Sequence, residues 1–354
     1  LDKLGTAGAI TRTEIFQQPA LWETTLARVR EFDSSELEGD ARVVITGAGT
    51  SAHASTAVAT AWHMARAIPT TDLLIARENY FEESGILLSL ARSGESPESV
   101  GVVRRIQKLY PSVRHFAITC NAEGRLAHHT GVKVLLLDPR TNDHSLVMTS
   151  SFSNLILAGL ALRHLPILEQ ALPDIAASAS KSLPEMDELA RDIAARQFSR
   201  ATILASRPLM AAAREASLKI LEMTAGGIPV LTETYLGLRH GPMSFLRDDT
   251  LVLCFLSTSP EIRRYELDLL GELRAKNIGY IVAIAPPQLN ELDVNQRIPS
   301  LAPELADNLR TPFEIIFAQL LGWHLSLGIG LNPDNPSPQG VINRVVQGVR
   351  IHED

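Results

Sequence analysis

The sequence predicts an α/β protein made of two successive, mainly parallel, doubly wound sheets, each flanked by helices. Short apolar runs of strand character alternate with longer helix-like stretches over most of the chain. Two loops of small residues, Gly47-Ala48-Gly49-Thr50-Ser51 and Ser93-Gly94-Glu95-Ser96, each stand where such a run gives way to a helix. At 354 residues the chain is too long for one ordinary core, and its pattern restarts after a charged, alanine-rich stretch from Leu172 to Arg200.

The elements follow in order. Thr13 to Pro19 opens the ordered part, and a helix is expected from Pro19 to Phe32, with Leu21, Leu26 and Val29 near one face and proline in its first turn. Strands are expected at Arg42–Thr46, Leu73–Ala76, Ile86–Leu90, His115–Thr119 and Val132–Leu137. Helices at Ala52–Ala67, Glu98–Leu109 and Thr149–Arg163 separate most of them. Leu172 to Arg200 reads as a connecting helix. Strands at Thr202–Ala205, Leu251–Leu256 and Tyr280–Ile284 then alternate with helices at Pro208–Ala225 and Ile262–Ala275, before a last helix at Phe313–Leu327. Pro333, Pro336 and Pro338 make the start of the tail irregular. The expected divisions are an N-terminal segment and helix over 1–35, a first domain over 36–175, a connecting helix and second domain over 176–330, and a tail over 331–354 that closes on the active site.

Composition narrows the function class. The chain is 45% hydrophobic and 21% charged, as globular enzymes are, and its net charge of −7 argues against a nucleic-acid partner. Cys120 and Cys254 lie in or at the end of apolar runs and read as buried core residues, not as a disulfide or a nucleophile. Residues 1–10 show no secretory pattern, so a cytoplasmic location is expected. The longest apolar stretch, Leu155 to Leu162, is far shorter than the ~20 residues of a membrane span and reads as a buried helix. His128 and His129 point in different directions on any regular element and lack accompanying ligands, so no metal is expected there.

The loops suggest the ligand. Small residues at a strand-to-helix turn expose amides and hydroxyls at a helix N-terminus, where phosphate is well held. No lysine follows either loop in Walker fashion, so a phosphorylated small molecule is expected in place of a nucleoside triphosphate. Gly47-Ala48-Gly49, with Ala52 as third position, also fits a dinucleotide fingerprint. The acidic residue that reading needs is poorly met, because Asp72 starts the expected second strand and Glu78 lies beyond its end. In open parallel sheets ligands bind where strand order reverses, and a reversal between the two loops would bring them together.

The pair Gly-x-Gly-Thr-Ser and Ser-Gly-x-Ser, about 40 residues apart, resembles the sugar isomerase (SIS) domain family. The second half adds Glu222 in Ser217-Leu218-Lys219-Ile220-Leu221-Glu222, then His240-Gly241-Pro242-Met243. A helical glutamate followed by His-Gly-Pro resembles tandem SIS enzymes of hexose 6-phosphates, such as the isomerase half of glucosamine-6-phosphate synthase. The opening Thr13-Glu14-Ile15-Phe16-Gln17-Gln18-Pro19, the stretch Val147 to Asn154 and the tail Asn332 to Pro338 are similar to the galactosamine-6-phosphate deaminase/isomerase family (AgaS, also known as tagatose-6-phosphate ketose/aldose isomerase). The resemblance covers nearly the full chain and implies two tandem SIS domains.

Carried over residue by residue, the resemblance places phosphate binding on Ser51, Arg92, Ser93 and Ser96, with Gly49, Thr50, Val147, Thr149 and Asn343 as further substrate-binding positions. Where the synthase has Ser-Gln-Ser-Gly, this chain has Ala91-Arg92-Ser93-Gly94, so Arg92 would replace a lost hydroxyl with a charge-assisted contact. Ser96 followed by Pro97 equally fits a helix cap, which uses the same groups as an anion site. Glu222 would be the general base that moves a proton between C2 and C1; on spacing alone it reads as a surface partner of Lys219. His240 would open the sugar ring by shuttling a proton and, as in the related enzymes, would come from a neighbouring subunit, implying a homodimer; the alternative is a histidine merely fixed in a turn.

The synthase has a tail lysine that forms a Schiff base, and the corresponding Val341-Ile342-Asn343-Arg344-Val345-Val346 has none. Arginine cannot substitute, because its guanidinium stays protonated. An amino sugar carries its own nitrogen, so breakdown of galactosamine 6-phosphate to tagatose 6-phosphate and ammonia is the expected reaction, without cofactor. With no room for a glutaminase domain, synthesis from glutamine is not expected. A plain isomerase of a neutral hexose 6-phosphate, a glucosamine-6-phosphate deaminase, a fructosamine-type enzyme and a non-catalytic sugar-phosphate sensor stay open. The short stretch before Pro19 leaves no space for the helix-turn-helix that such sensors carry.

Overall fold

The fold is seen in a computed structural model, which describes residues 7–37, 41–75, 80–81, 84–289, 291–346 and 348–352. The chain forms two compact units that interleave in sequence. Gln17–Pro173 and Gln339–Asp354 make the first-sheet unit; Leu1–Phe16 and Asp174–Pro338 make the second-sheet unit. The breaks thus fall at 16/17, 173/174 and 338/339, where the sequence reading had placed them at 35/36, 175/176 and 330/331. Helix α1 (Ala9–Phe16) groups with the second sheet for a visible reason. Asn332 accepts from the Gly8 amide at 2.8 Å, Asp334 accepts from the Thr11 amide and hydroxyl at 2.8 Å each, and Trp323 donates to the Gly8 carbonyl at 2.8 Å.

In the first-sheet unit α2 (Gln18–Glu31) leads to β1 (Val43–Thr46), α3 (Thr50–Ala61), β2 (Ala65–Ala67) and α4 (Thr70–Ile75). Then come β3 (Gly85–Ala91), α5 (Pro97–Leu109), β4 (Val113–Thr119), β5 (Val132–Leu136) and α6 (Ser150–Ala194), which runs on into the second-sheet unit. All pairings are parallel, in the order β2-β1-β3-β4-β5. The order reverses at β1/β3, so the loops after these two strands flank the switch point, where such sheets bind ligands.

Two expectations fail here. Leu73–Ala76 is not a strand; as far as Ile75 it lies in α4, and Ala76 lies outside the described residues. Pro69 starts that helix by accepting from the amides of Asp72 and Leu73 at 3.0 Å each, a signal that outweighs an apolar run too short to define its own period. The Ala52–Ala67 helix stops at Ala61, and Ala65–Ala67 becomes the half-exposed edge strand β2. No acidic residue ends β2, since Ile68 and Pro69 follow it; this weakens the dinucleotide reading further. Glu78, the other acidic residue of that reading, lies outside the described residues.

The long helix α6 breaks its helical geometry at His164, two residues before Pro166, which lacks the amide an inner turn needs. By length and composition alone α6 is apolar enough to cross a membrane. Its expected core stretch is buried within the protein: Leu155, Ile156, Leu157, Ala158 and Leu160 are fully covered, and the Trp62 indole donates to the Gly159 carbonyl at 3.1 Å.

The second-sheet unit repeats the plan with β6 (Arg200–Ala205), α7 (Met210–Met223), β7 (Val230–Glu233), α8 (Tyr235–Leu238) and β8 (Thr250–Phe255). It closes with α9 (Pro260–Ala275), β9 (Tyr280–Ala285), β10 (Gln296–Pro299) and α10 (Asp307–Gly328). The order β7-β6-β8-β9-β10, again all parallel, matches the first sheet strand for strand. Both cysteines are free and buried, as expected, and burial pushes the Cys120 thiol up to about 12.

One buried group makes a pH prediction. Neither ring nitrogen of His115 in β4 has a hydrogen-bond partner among the described residues. Burial, and secondarily the nearby His129, lower its pKa from 6.5 to about 4. Between those values the unfolded chain binds a proton that the folded chain does not. This contribution to stability is complete above 6.5 and is lost as pH falls toward 4, by about 3 kcal/mol in all. His115→Leu should flatten this slope, read as urea midpoints that differ less between about pH 5 and pH 7 than in wild type.

Candidate active site

In the first-sheet unit β1 turns into α3 through Gly47-Ala48-Gly49. A Cβ on Gly47 would stand 2.4 Å from the Ser51 carbonyl oxygen, and Gly49 has φ +57°, so both positions require glycine. Thr50 and Ser51 thereby open α3, each about 5% exposed, and the Ser51 hydroxyl has no hydrogen-bond partner among the described residues. After β3, Ser93 accepts from the Glu95 amide at 3.3 Å, while its own hydroxyl proton has no acceptor there. Ser96 caps α5, accepting from the Ser99 amide at 3.3 Å and donating to Glu98 at 2.8 Å, with Pro97 in the first turn. The sequence reading allowed for both a cap and an anion site, and the cap is present.

Arg92 does not extend toward open solvent. It is 6% exposed, and its guanidinium donates to the carbonyls of Ser145, Leu146 and Val147 at 3.3, 3.1 and 3.4 Å and to that of Arg344. Arg344 in turn donates to the Asn142 side chain at 2.8 Å and the Asp143 carbonyl at 2.8 Å. These two arginines bind the 142–147 loop and the tail to the end of β3. The buried Asp143 carboxylate accepts from the amides of Thr149, Ser150 and Ser151 at 2.7, 3.1 and 2.9 Å and so caps α6. Within this unit the structure therefore joins Arg92, Val147 and Thr149 in one network with Arg344, while the neighbouring Asn343 is exposed. Arg92→Ala should lower stability by about 1–3 kcal/mol, because carbonyls lose their donors. It should also speed proteolytic cleavage within 339–352, mapped by mass spectrometry; unchanged cleavage there would contradict the clamp.

In the second-sheet unit Glu222 lies in the last turn of α7, half-buried, with Oε2 2.5 Å from the Lys219 ammonium. Lys219 is wholly buried and also lies 3.2 Å from Glu215, itself wholly buried. Burial alone would lower the Lys219 pKa, but Glu215 and then Glu222 outweigh it and hold the ammonium above its usual value. The expected Glu222–Lys219 pair is thus present as part of a buried Glu–Lys–Glu column. Glu215 was not singled out in the sequence, although its i, i+4, i+7 spacing with Lys219 and Glu222 in an alanine-rich helix was readable. His240 is exposed in the turn after α8, its amide donating to Gly237 at 2.9 Å; its side chain has no hydrogen bond among the described residues. Gly241 follows at φ +116° and begins a short turn of 3-10 helix over Pro242–Phe245. Among the described residues no three His, Cys, Asp or Glu side chains are grouped to hold a metal, and His128 is exposed.

No protein-family model matches the chain. An Escherichia coli protein named D-galactosamine-6-phosphate deaminase AgaS is 34% identical over 382 residues, covering 98% of this chain and 96% of the relative. A protein of the same name from Shewanella sp. (strain ANA-3) is 34% identical over 368 residues, covering 97% and 91%. The crystal structure of tagatose-6-phosphate ketose/aldose isomerase from Escherichia coli superposes with a TM-score of 0.87 at 31% identity, covering 99% of this chain and 98% of that one. These full-length matches, borne on two parallel five-stranded sheets, establish that the chain belongs to the family of the D-galactosamine-6-phosphate deaminases AgaS.

Proposed function

We propose that the protein deaminates galactosamine 6-phosphate to tagatose 6-phosphate and ammonia. The observation that carries this reading is the full-length match to relatives of that name. The absence of a lysine from Val341 to Val346 agrees with it, since an amino sugar needs no protein amine. Ser51, Ser93 and Ser96, with the Gly49 and Thr50 turn, hold the 6-phosphate at the starts of α3 and α5, where the helix dipoles add to the hydroxyls and amides. Val147, Thr149 and Asn343 line the sugar, and Arg92 serves mainly by fixing the 145–147 loop and the tail.

His240 transfers the anomeric hydroxyl proton to the ring oxygen, which opens the ring to the aldehyde. Glu222 takes the proton from C2 and returns it to C1, converting the aldehyde with its C2 amine to the C2 imine. Water adds to C2, the C–N bond breaks, and ammonia leaves a ketose phosphate. Lys219 holds the Glu222 carboxylate in place.

The test is ammonia and ketose release by purified protein from galactosamine 6-phosphate and glucosamine 6-phosphate in parallel. Isomerisation of tagatose 6-phosphate without ammonia release from either amino sugar would refute the reading. We further propose a cytoplasmic homodimer in which His240 comes from the partner. Mixing Glu222→Gln chains with His240→Asn chains should then restore roughly a quarter of wild-type rate, because each mixed dimer keeps one complete site. If both residues act within one chain, the mixture stays inactive.

A further inference from the structure

The two sheets share more than strand order. β3 and β8 occupy equivalent places beside the switch point of their sheets, and each leads through a serine-bearing loop into Ser-Pro-Glu. Ser96-Pro97-Glu98 opens α5 and Ser259-Pro260-Glu261 opens α9, with the serine hydroxyl donating to the glutamate at 2.8 Å and 2.7 Å respectively. The second loop therefore has the build of the first, which we assign to substrate phosphate.

Its donors are already taken. Asp307, at the start of α10, accepts from the Ser257 hydroxyl, and from the Thr258 amide and hydroxyl at 2.9 Å each. The wholly buried Arg310 donates to the same carboxylate at 2.7 Å. Beside it, Glu266 accepts from the Ser257 amide at 2.8 Å and from the hydroxyl of Ser206, which follows β6 as Gly47 follows β1. Arg310 is shared with Glu314 at 3.2 Å and with the Ser300 hydroxyl at 3.1 Å. One amide, two hydroxyls and a guanidinium converging on one carboxylate at a strand-to-helix turn is the donor set of a phosphoryl seat. In the first loop no carboxylate is bound in that way: the Ser51 and Ser93 hydroxyl protons have no acceptors among the described residues.

We infer that the second-sheet unit contains a second seat for a phosphate monoester or inorganic phosphate, and that the chain fills this seat with its own Asp307 carboxylate. Each chain consequently takes one phosphorylated ligand although it carries two seats. Burial would raise the Asp307 pKa, but the Ser257 and Thr258 hydrogen bonds and the Arg310 charge hold it below the usual carboxylate range, so the occupant is ionised at neutral pH. Burial raises Glu266 to about 7, so a second anion beside it is partly relieved of like-charge repulsion.

The test uses inorganic phosphate as probe on full-length chains, with binding read by calorimetry and by thermal shift. In a Ser51→Ala, Ser93→Ala background that silences the first loop, Asp307→Ala should gain phosphate binding at one per chain, with affinity at least about tenfold above its parent and a matching rise in Tm. Chloride at equal ionic strength should not reproduce it. A folded Asp307→Ala chain that binds no more phosphate than its parent overturns the inference, as Asp307 is then only a helix-start anchor. If the variant is recovered unfolded, refolding with and without phosphate decides. Phosphate-dependent recovery supports the seat, and equal recovery in phosphate and chloride overturns it. Because the variant and its parent carry the same first-loop changes, the difference between them is independent of whether the substrate assignment holds.

Discussion

Glu222→Gln is expected to lower kcat for ammonia release by about 10³-fold, the range over which a positioned general base contributes. The amide keeps the size of the carboxylate and still accepts a hydrogen bond from Lys219, which lies 2.5 Å from Oε2. The fold and the affinity for inorganic phosphate should therefore stay close to wild type, so the loss falls on kcat and not on KM. Single-turnover measurement of ammonia with galactosamine 6-phosphate checks this. Full turnover by the variant would remove Glu222 from the mechanism. Normal phosphate binding combined with lost turnover would instead reject the sensor reading, in which no proton is moved.

The second large effect falls on stability. Lys219→Met removes the ammonium that lies 3.2 Å from the wholly buried Glu215 and 2.5 Å from Glu222. Breaking a buried pair from one side costs about 3–5 kcal/mol, because the remaining charge is neither hydrated nor compensated. The expected result is a large drop in urea midpoint at neutral pH, partly recovered in Lys219→Met with Glu215→Gln, which removes the stranded charge. A single variant as stable as wild type would show that Lys219 is not needed to hold the buried Glu215. Activity should fall as well and should not return in the double variant, since Lys219 positions Glu222 and Glu215 does not.

The central strands were legible because each is a run of apolar residues covered on both faces, as in β1, β3, β6, β8 and β9. Of the edge strands, β5 was legible from its apolar Val132, Val134, Leu135 and Leu136, whereas β2, β7 and β10 were not. Their half-exposed residues, such as Ala65-Arg66-Ala67, carry no apolar pattern and become strands only by pairing with a neighbour. The same limit explains Leu73 to Ile75, where three apolar residues fit either period and the preceding Pro69 decided for helix. At the site, Gly47, Gly49, Ser51, Ser93 and Ser96 could be read directly, because a turn that admits only glycine and a hydroxyl at a helix start are local requirements.

The role of Arg92 was not local. Its sequence context suggests a free cation beside a phosphate loop, whereas its guanidinium meets carbonyls at 145–147 and 344, which are distant in sequence and near only after folding. Asp307 is the same case, 49 residues from the Thr258 that it engages. The sequence by itself determined the α/β class and the small-residue loops at two strand-to-helix turns, and it singled out Glu222 and His240 as candidates, because periodicity, turn chemistry and short motifs are encoded within a few residues. Only the tertiary structure decided which charges are neutralised, which donors stay open and where the chain divides into units. Those outcomes depend on partners brought together by burial, and burial is a property of the assembled sheets and not of any one segment.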